Sequence, residues 1–218
     1  MSGRMTTVVF DLDGTLIDSM PLVLRAYAHA LQPTHPHLTP AEILAGLGGP
    51  PERYFAELLP DSVAAKTALR RLAEFGASHA ELIQPFPGAR EHLEALGAAG
   101  RRVGVWTGRD RESATWLMTG RGLAPFVQAN VCGDDLPTHK PDPEGLAAVL
   151  RQLDAVEREA VFVGDADVDV LAGSALGVRT VLITHGRAAS ETLKAKAWRV
   201  VTTPREAYIL LEREAAAA

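Results

Sequence analysis

Cysteine is nearly absent from this chain: Cys132 stands alone among 218 residues. A lone cysteine excludes an internal disulfide, so nothing in the sequence asks for an oxidising compartment. Cys132 closes an apolar run and reads as a small core residue. Long hydrophobic runs are missing too. No stretch reaches the roughly 18 apolar residues of a membrane span, and Met1 to Thr7 lacks the apolar core of a signal peptide. The expectation is a cytoplasmic protein with no membrane partner. Basic runs are equally scarce. Arg101-Arg102 is only a pair, read as solvated, and the formal net charge is -5, so nucleic acid is not an expected partner.

What is present is an alternation. Hydrophobic residues make up 47% and charged residues 22%, ordinary for a globular chain. Short runs rich in Val and Ile recur: Val8-Val9-Phe10, Val103 to Trp106, Phe126 to Cys132, Val161 to Val163, Val178 to Thr184 and Trp198 to Val201. Runs of this length without polar alternation suit strands of a parallel sheet buried on both faces. Helical patterns separate them: Pro87 to Ala99, Arg111 to Arg121, Pro143 to Leu153 and Asp169 to Leu176. Asp142 is the expected N-cap of the third, with Pro143 at its first position, and Gly177 the stop of the fourth. The alanine run Ala215 to Ala218 reads as a frayed helix end. Strand and helix in turn imply an α/β fold with an open, doubly wound parallel sheet. One segment breaks the rhythm. Residues 18–84 hold only helical patterns, with turn clusters at Pro33-Thr34-His35-Pro36 and Gly48-Gly49-Pro50-Pro51. That is too long for a single crossover. The expected organisation is an α/β core of residues 1–17 and 85–218, with residues 18–84 as an inserted helical domain over the carboxyl end of the first strand, where such sheets bind ligands.

The strand ends carry the chemistry. Asp11-Leu12-Asp13-Gly14-Thr15 follows the first run, and in extended chain residues i and i+2 point to one side. Two carboxylates held together call for a cation between them. Taken alone, D-x-D-G is more often a solvated turn. Thr107-Gly108 follows the second run, Lys140 lies in Thr138-His139-Lys140-Pro141, and Gly164-Asp165-Ala166-Asp167-Val168-Asp169 follows a third. Asp11, Asp13, Asp165 and Asp169 bring four negative charges to one sheet edge, Lys140 returns one positive charge, and a divalent ion two. Hard oxygen ligands of this kind suit Mg²⁺.

These pieces, in this order, resemble the haloacid dehalogenase superfamily in its phosphatase branch, similar to phosphoglycolate phosphatases. The resemblance rests on Asp11-Leu12-Asp13-Gly14-Thr15-Leu16, Thr107, Lys140-Pro141 and Gly164-Asp165 with Asp169, and covers essentially the whole chain. It implies that Asp11 is a nucleophile forming an aspartyl-phosphate and that Asp13 protonates the leaving oxygen and then activates water. It implies that Thr107 and Lys140 hold the phosphoryl oxygens, with Gly108 beside them. Mg²⁺ would meet Asp11, the Asp13 carbonyl and Asp165, while Asp169 orients Lys140 or a metal-bound water. The implied substrate is a small phosphorylated metabolite, and the helical insert sits where this family places its cap. Asp13 argues against a dehalogenase, which does not need the second acid. A phosphonoacetaldehyde-type enzyme needs a cap lysine, and the insert offers only Lys66. Sugar-phosphate mutases of the family usually carry Glu-Asp where this chain has Gly164-Asp165. A mutase or pyrophosphatase is the alternative, and a phospho-acceptor switch a more distant one, since response-regulator receivers lack such an insert. Arg109 departs from the small polar residues usual near Thr107.

Other signals are fainter. Arg53 could pair with a substrate carboxylate, although a solvated helix-start arginine is at least as good a reading. His35 and His37 form a weak zinc signal in a surface turn, and His139 owes its place to Lys140. His185-Gly186-Arg187 either lines the pocket or serves loop geometry. Leu22, Tyr27 and Leu31 read as the packing face of a helix in the insert.

Overall fold

The computed structural model describes residues 5–47 and 51–216. The expected turn Gly48-Gly49-Pro50, the first four residues and Ala217-Ala218 of the alanine tail lie outside the described residues. The chain divides into two compact units, Met1–Asp18 with Pro85–Ala218, and Ser19–Gln84. In chain order the elements begin with β1 (Thr7–Phe10), β2 (Ile17–Asp18), α1 (Met20–Leu31), α2 (Pro40–Gly46), α3 (Pro51–Leu58) and α4 (Ser62–Ser78). There follow β3 (Gln84–Pro85), α5 (Ala89–Ala98), β4 (Arg102–Trp106), α6 (Arg111–Gly120), β5 (Ala129–Val131) and α7 (Glu144–Gln152). The chain ends with β6 (Ala160–Gly164), α8 (Asp167–Leu176), β7 (Arg179–Ile183), α9 (Glu191–Lys196), β8 (Arg199–Val201) and α10 (Pro204–Ala216).

In the first unit, six parallel strands form a sheet in the order β5-β4-β1-β6-β7-β8, covered by helices on both faces. Every residue of β1 is buried, and so are all of β6 and four of the five residues of β4 and β7. This burial on both faces is why these strands read as unbroken apolar runs. Strand alternation sends Val9 to one face, where it packs with Trp106, Val131, Val149 and Phe162 beneath α7 and α8. Phe10 goes to the other, edge-on to His92 of α5 at 5.9 Å, with His92 stacked on Tyr208 of α10 at 4.7 Å. Each large side chain so buried contributes on the order of 1.5–3 kcal/mol.

The register fixes where the strands end. Phe10 lies beside Val105 of β4 and Val163 of β6, and the Asp11 amide donates to the Val163 carbonyl at 2.8 Å. Asp11, Thr107 and Asp165 therefore leave the sheet at one edge. Order reverses around β1, with β4 on one side and β6 on the other, which makes this edge the switch point of the sheet.

The second unit is helical. α1 packs on α4 and α2, and α3 on α4. Its core gathers Tyr27, Leu31, Ile43, Phe55 and Leu59, with Val23 and Leu24 against them. Leu22, expected on this face, is not part of it. Thr39 and Glu42 close a capping box on α2, and Asp61 caps α4 by accepting from the amides of Val63 and Ala64.

Several boundaries differ from the sequence reading. α5 starts at Ala89 rather than Pro87 because Gly88 adopts φ +84, a left-handed turn. α7 starts at Glu144: Pro143 is its N-cap, and Asp142 accepts from the Glu144 amide at 3.0 Å. Of the run Phe126 to Cys132, only Ala129–Val131 is strand, preceded by a short turn of helix through Pro125. Two strands of two residues, β2 and β3, pair as a separate ribbon. Arg101, expected in solvent, is buried, donating to the Ala215 carbonyl at 2.7 Å, and Arg102 donates to the carbonyls of Leu153 and Asp154. Cys132 is buried as expected, and burial pushes its thiol up to about 11.

Candidate active site at the carboxyl edge of the sheet

Asp11, Asp165 and Asp169 bring carboxylate oxygens within 4.8 Å of one another. Asp11 comes from the end of β1, Asp165 from just after β6, and Asp169 from the first turn of α8. Gly14 makes the approach possible. It turns the chain at φ +72, and a Cβ there would stand 2.2 Å from Asp165 Oδ2. Gly164 does the same for Asp169, whose Oδ2 would lie 2.3 Å from a Cβ at that position. Asp169 itself is fully buried and accepts from the Ala166 amide at 2.9 Å.

Lys140 is the counter-charge. Its Nζ donates to Asp11 Oδ1 at 2.6 Å and lies 2.8 Å from Asp169 Oδ1. It also stands 4.9 Å from the Trp106 ring centre and 5.4 Å from that of Phe162, so its face away from the acids meets aromatic π density. Burial works against the ammonium charge, but Asp11 and Asp169 outweigh it and hold the Lys140 pKa above its ordinary value. Burial pushes Asp11 up to about 8 against the pull of Lys140, with Asp169 and Asp165 adding to the rise. Asp165 rises to about 6, first through burial and then through Asp169. Three carboxylates against one ammonium leave an excess of negative charge in a partly desolvated pocket. A divalent cation would relieve that excess, and the all-oxygen donor set suits a hard one. The three-acid cluster therefore fits a metal.

Thr107 is buried at the end of β4, its amide donating to the Val131 carbonyl and its Oγ1 accepting from the Arg109 amide at 3.2 Å. With Trp106, Gly108, Cys132, Thr138 and Lys140 it lines a cavity of about 330 Å³. Asp13 belongs elsewhere. Its carboxylate lies outside the three-acid cluster and is gripped by Arg109, Nε to Oδ2 at 2.6 Å and Nη2 to Oδ1 at 2.7 Å. Of the four acids expected at the metal, three converge through their side chains. Arg53 lies in the helical unit, on α3, largely exposed and paired with Glu57 one turn along at 2.8 Å. His35 and His37 join no metal-ligating group among the described residues.

Arg109 stands out in the sequence only as a departure from a small polar residue, and its partner Asp13 lies 96 residues away. His185 takes φ +51, and its Nε2 donates to the Gly14 carbonyl at 2.7 Å while the ring stacks on Phe86. Arg187 follows, donating to the Asp165 carbonyl and pairing with Asp167, each at 2.7 Å. Tyr208 donates to the Thr15 carbonyl at 2.6 Å. Two loops and a helix thus brace the turn after Asp11, a task with no sequence signature beyond the position of His185 after a strand.

Comparison with known proteins agrees with this geometry. The sequence profile described as haloacid dehalogenase-like hydrolase matches residues 8–183. A pyrophosphatase PpaX of Halalkalibacterium halodurans is 31% identical over 183 residues, 84% of this chain and 85% of that protein. A phosphoglycolate phosphatase of Cereibacter sphaeroides is 33% identical over 190 residues, 84% of this chain and 86% of that one. Among solved structures, a putative beta-phosphoglucomutase from Thermotoga maritima superposes with a TM-score of 0.83 at 26% identity, covering 96% of this chain and 99% of that one.

Proposed function

The chain belongs to the haloacid dehalogenase-like hydrolases and is a phosphatase of that family, and on that premise we propose that it hydrolyses a small phosphorylated metabolite through an aspartyl-phosphate on Asp11, with Mg²⁺ as cofactor. The observation that carries this reading is Lys140 set 2.6 Å from Asp11 Oδ1 and 2.8 Å from Asp169 Oδ1, beside Asp165. Mg²⁺ held by Asp11 and Asp165, with Asp169 behind, would supply charge neutralisation for an incoming phosphate.

Lys140 holds one oxygen of Asp11 and so fixes the plane of the carboxylate. Asp11 attacks phosphorus, the bond from phosphorus to the leaving oxygen breaks, and Asp13 gives that oxygen a proton. Water then attacks the phosphoryl group, Asp13 takes the proton back, and the bond to Asp11 breaks to release phosphate. Thr107 Oγ1, the amides near Gly108 and Lys140 bind the transferring oxygens. Asp169 keeps Lys140 in place from a fully buried position. The helical unit of residues 18–84, Arg53 included, is assigned to substrate selection.

Two substrates stand out. Phosphoglycolate and pyrophosphate are named by relatives at 33% and 31% identity, and pyrophosphate makes the second reading. Mutase chemistry is less supported, because Gly164 packs against Asp169 and has no room for the glutamate such enzymes carry there. The test is hydrolysis of both substrates and of phenyl phosphate by purified protein in magnesium. Turnover should fall to background in Asp11→Asn and on chelation. Hydrolysis persisting in Asp11→Asn would reject the aspartyl-phosphate route. As for compartment, no helix among the described residues is long and apolar enough to cross a membrane.

A further inference from the structure

Arg109 has no task in the scheme above, yet it is placed where proton transfer must occur. Both oxygens of Asp13 accept from its guanidinium, at 2.6 and 2.7 Å. While that fork is closed, Asp13 is held as an acceptor and is not free to meet a leaving oxygen. The backbone of Arg109 is anchored at the phosphoryl end of the site, its amide donating to Thr107 Oγ1 at 3.2 Å. The side chain is about a quarter exposed, so a ligand can reach it. Neighbouring arginines are committed elsewhere, Arg111 to Asp135 and Asn130, Arg187 to Asp165 and Asp167.

A guanidinium fork that fits a carboxylate fits a second carboxylate or a phosphate equally well. Lys140 and Thr107 already serve the transferring group, whereas Arg109 sits on the acid that faces the leaving oxygen. We propose that Arg109 is a specificity-determining residue that exchanges partners, releasing Asp13 as it takes up a negatively charged group on the leaving portion of the substrate. The preferred substrates are then phosphate esters or anhydrides whose leaving group carries its own anion, a carboxylate or a second phosphate. This rests on the phosphatase reading above.

The experiment compares wild type with Arg109→Gln and Arg109→Lys in magnesium. The ratio of kcat/KM for phosphoglycolate to that for phenyl phosphate, whose leaving group is uncharged in the bound ester, is expected to fall about 10- to 100-fold in Arg109→Gln. For phosphoglycolate the change should lie mainly in KM, for phenyl phosphate kcat should hold or rise because Asp13 is no longer gripped, and Arg109→Lys should recover part of the ratio. Calorimetry gives a second readout without turnover: the affinity for methylenediphosphonate relative to methylphosphonate should drop by a similar factor. Ratios within about twofold of wild type in both measurements would overturn the proposal. Wild-type hydrolysis of phenyl phosphate that vanishes in Asp11→Asn tests the phosphatase reading separately. If that fails, the phosphonate comparison still decides the role of Arg109.

Discussion

Replacing Lys140 by methionine keeps an unbranched apolar stem but removes the ammonium that bridges Asp11 and Asp169. The side chains of Lys140, Asp11 and Asp169 are 12%, 11% and 1% exposed, so water cannot take over the role. Removing one partner of a buried ion pair leaves an uncompensated charge and costs about 3–5 kcal/mol. At about 2–4 °C per kcal/mol for a chain of this size, the unfolding midpoint should drop by about 6–20 °C. The three tryptophans, Trp106, Trp116 and Trp198, all lie in the unit that carries the site. Their fluorescence therefore follows that unit without a contribution from the helical one. The measurement belongs at pH 8 in chelator, close to the Asp11 value of about 8, where about half of the groups are ionised. Lowering the pH to 5.5 should shrink the loss, because Asp11 is then protonated in both proteins and leaves less charge for the ammonium to neutralise. A midpoint within about 2 °C of wild type at pH 8 would refute the claim that Lys140 neutralises buried carboxylates.

Two other outcomes follow from the same geometry. Asp11 and Asp165 sit above their ordinary values, up to about 8 and about 6, so the folded state binds more protons than the unfolded one. Their contribution to stability is complete below about pH 4 and is lost as pH rises toward 8; added magnesium should restore it, and the gap between midpoints with and without the ion should widen across that range. A gap that narrows would show that the acids are not the binding groups. Gly145 of α7 is packed so closely that a Cβ would stand 2.1 Å from Trp106 Nε1. Gly145→Ala should cost about 1–3 kcal/mol in urea unfolding and also slow turnover, because the indole it displaces lies under Lys140; a stable variant of full activity would contradict this coupling.

How much of this could be read beforehand depends on how local each cause is. Val8 to Phe10 and Val161 to Val163 announce buried strands because both faces of the sheet are covered, so every residue in the run must be apolar. Asp11, Asp165 and Lys140 were legible because each follows a strand or a fixed motif. The pairing of Arg109 with Asp13 was not, since it joins residues on two different strand ends and no spacing encodes it. β2 and β3 escaped because two residues cannot show a period. Arg101 misled because charge suggested solvent, whereas its side chain is buried and donates to a backbone carbonyl from the last helix. Arg53 offered a chemically sensible partner for a substrate carboxylate; its Nε donates to Glu57 in its own helix, which leaves the other guanidinium donors for a ligand.

The position of β1 in the sheet has a consequence for biosynthesis. Its partners are β4 and β6, with Thr7 beside Arg102 on one side and Ala160 on the other. The segment that bears the nucleophile is therefore translated early and must wait for both flanking strands. At about 5–20 residues per second, roughly 8–30 s pass before the second of them is made. β1 has no partner until β4 is made and keeps one open edge until Gly164 has cleared the ribosome, so three consecutive buried apolar residues, Val8 to Phe10, stay incompletely covered in the nascent chain.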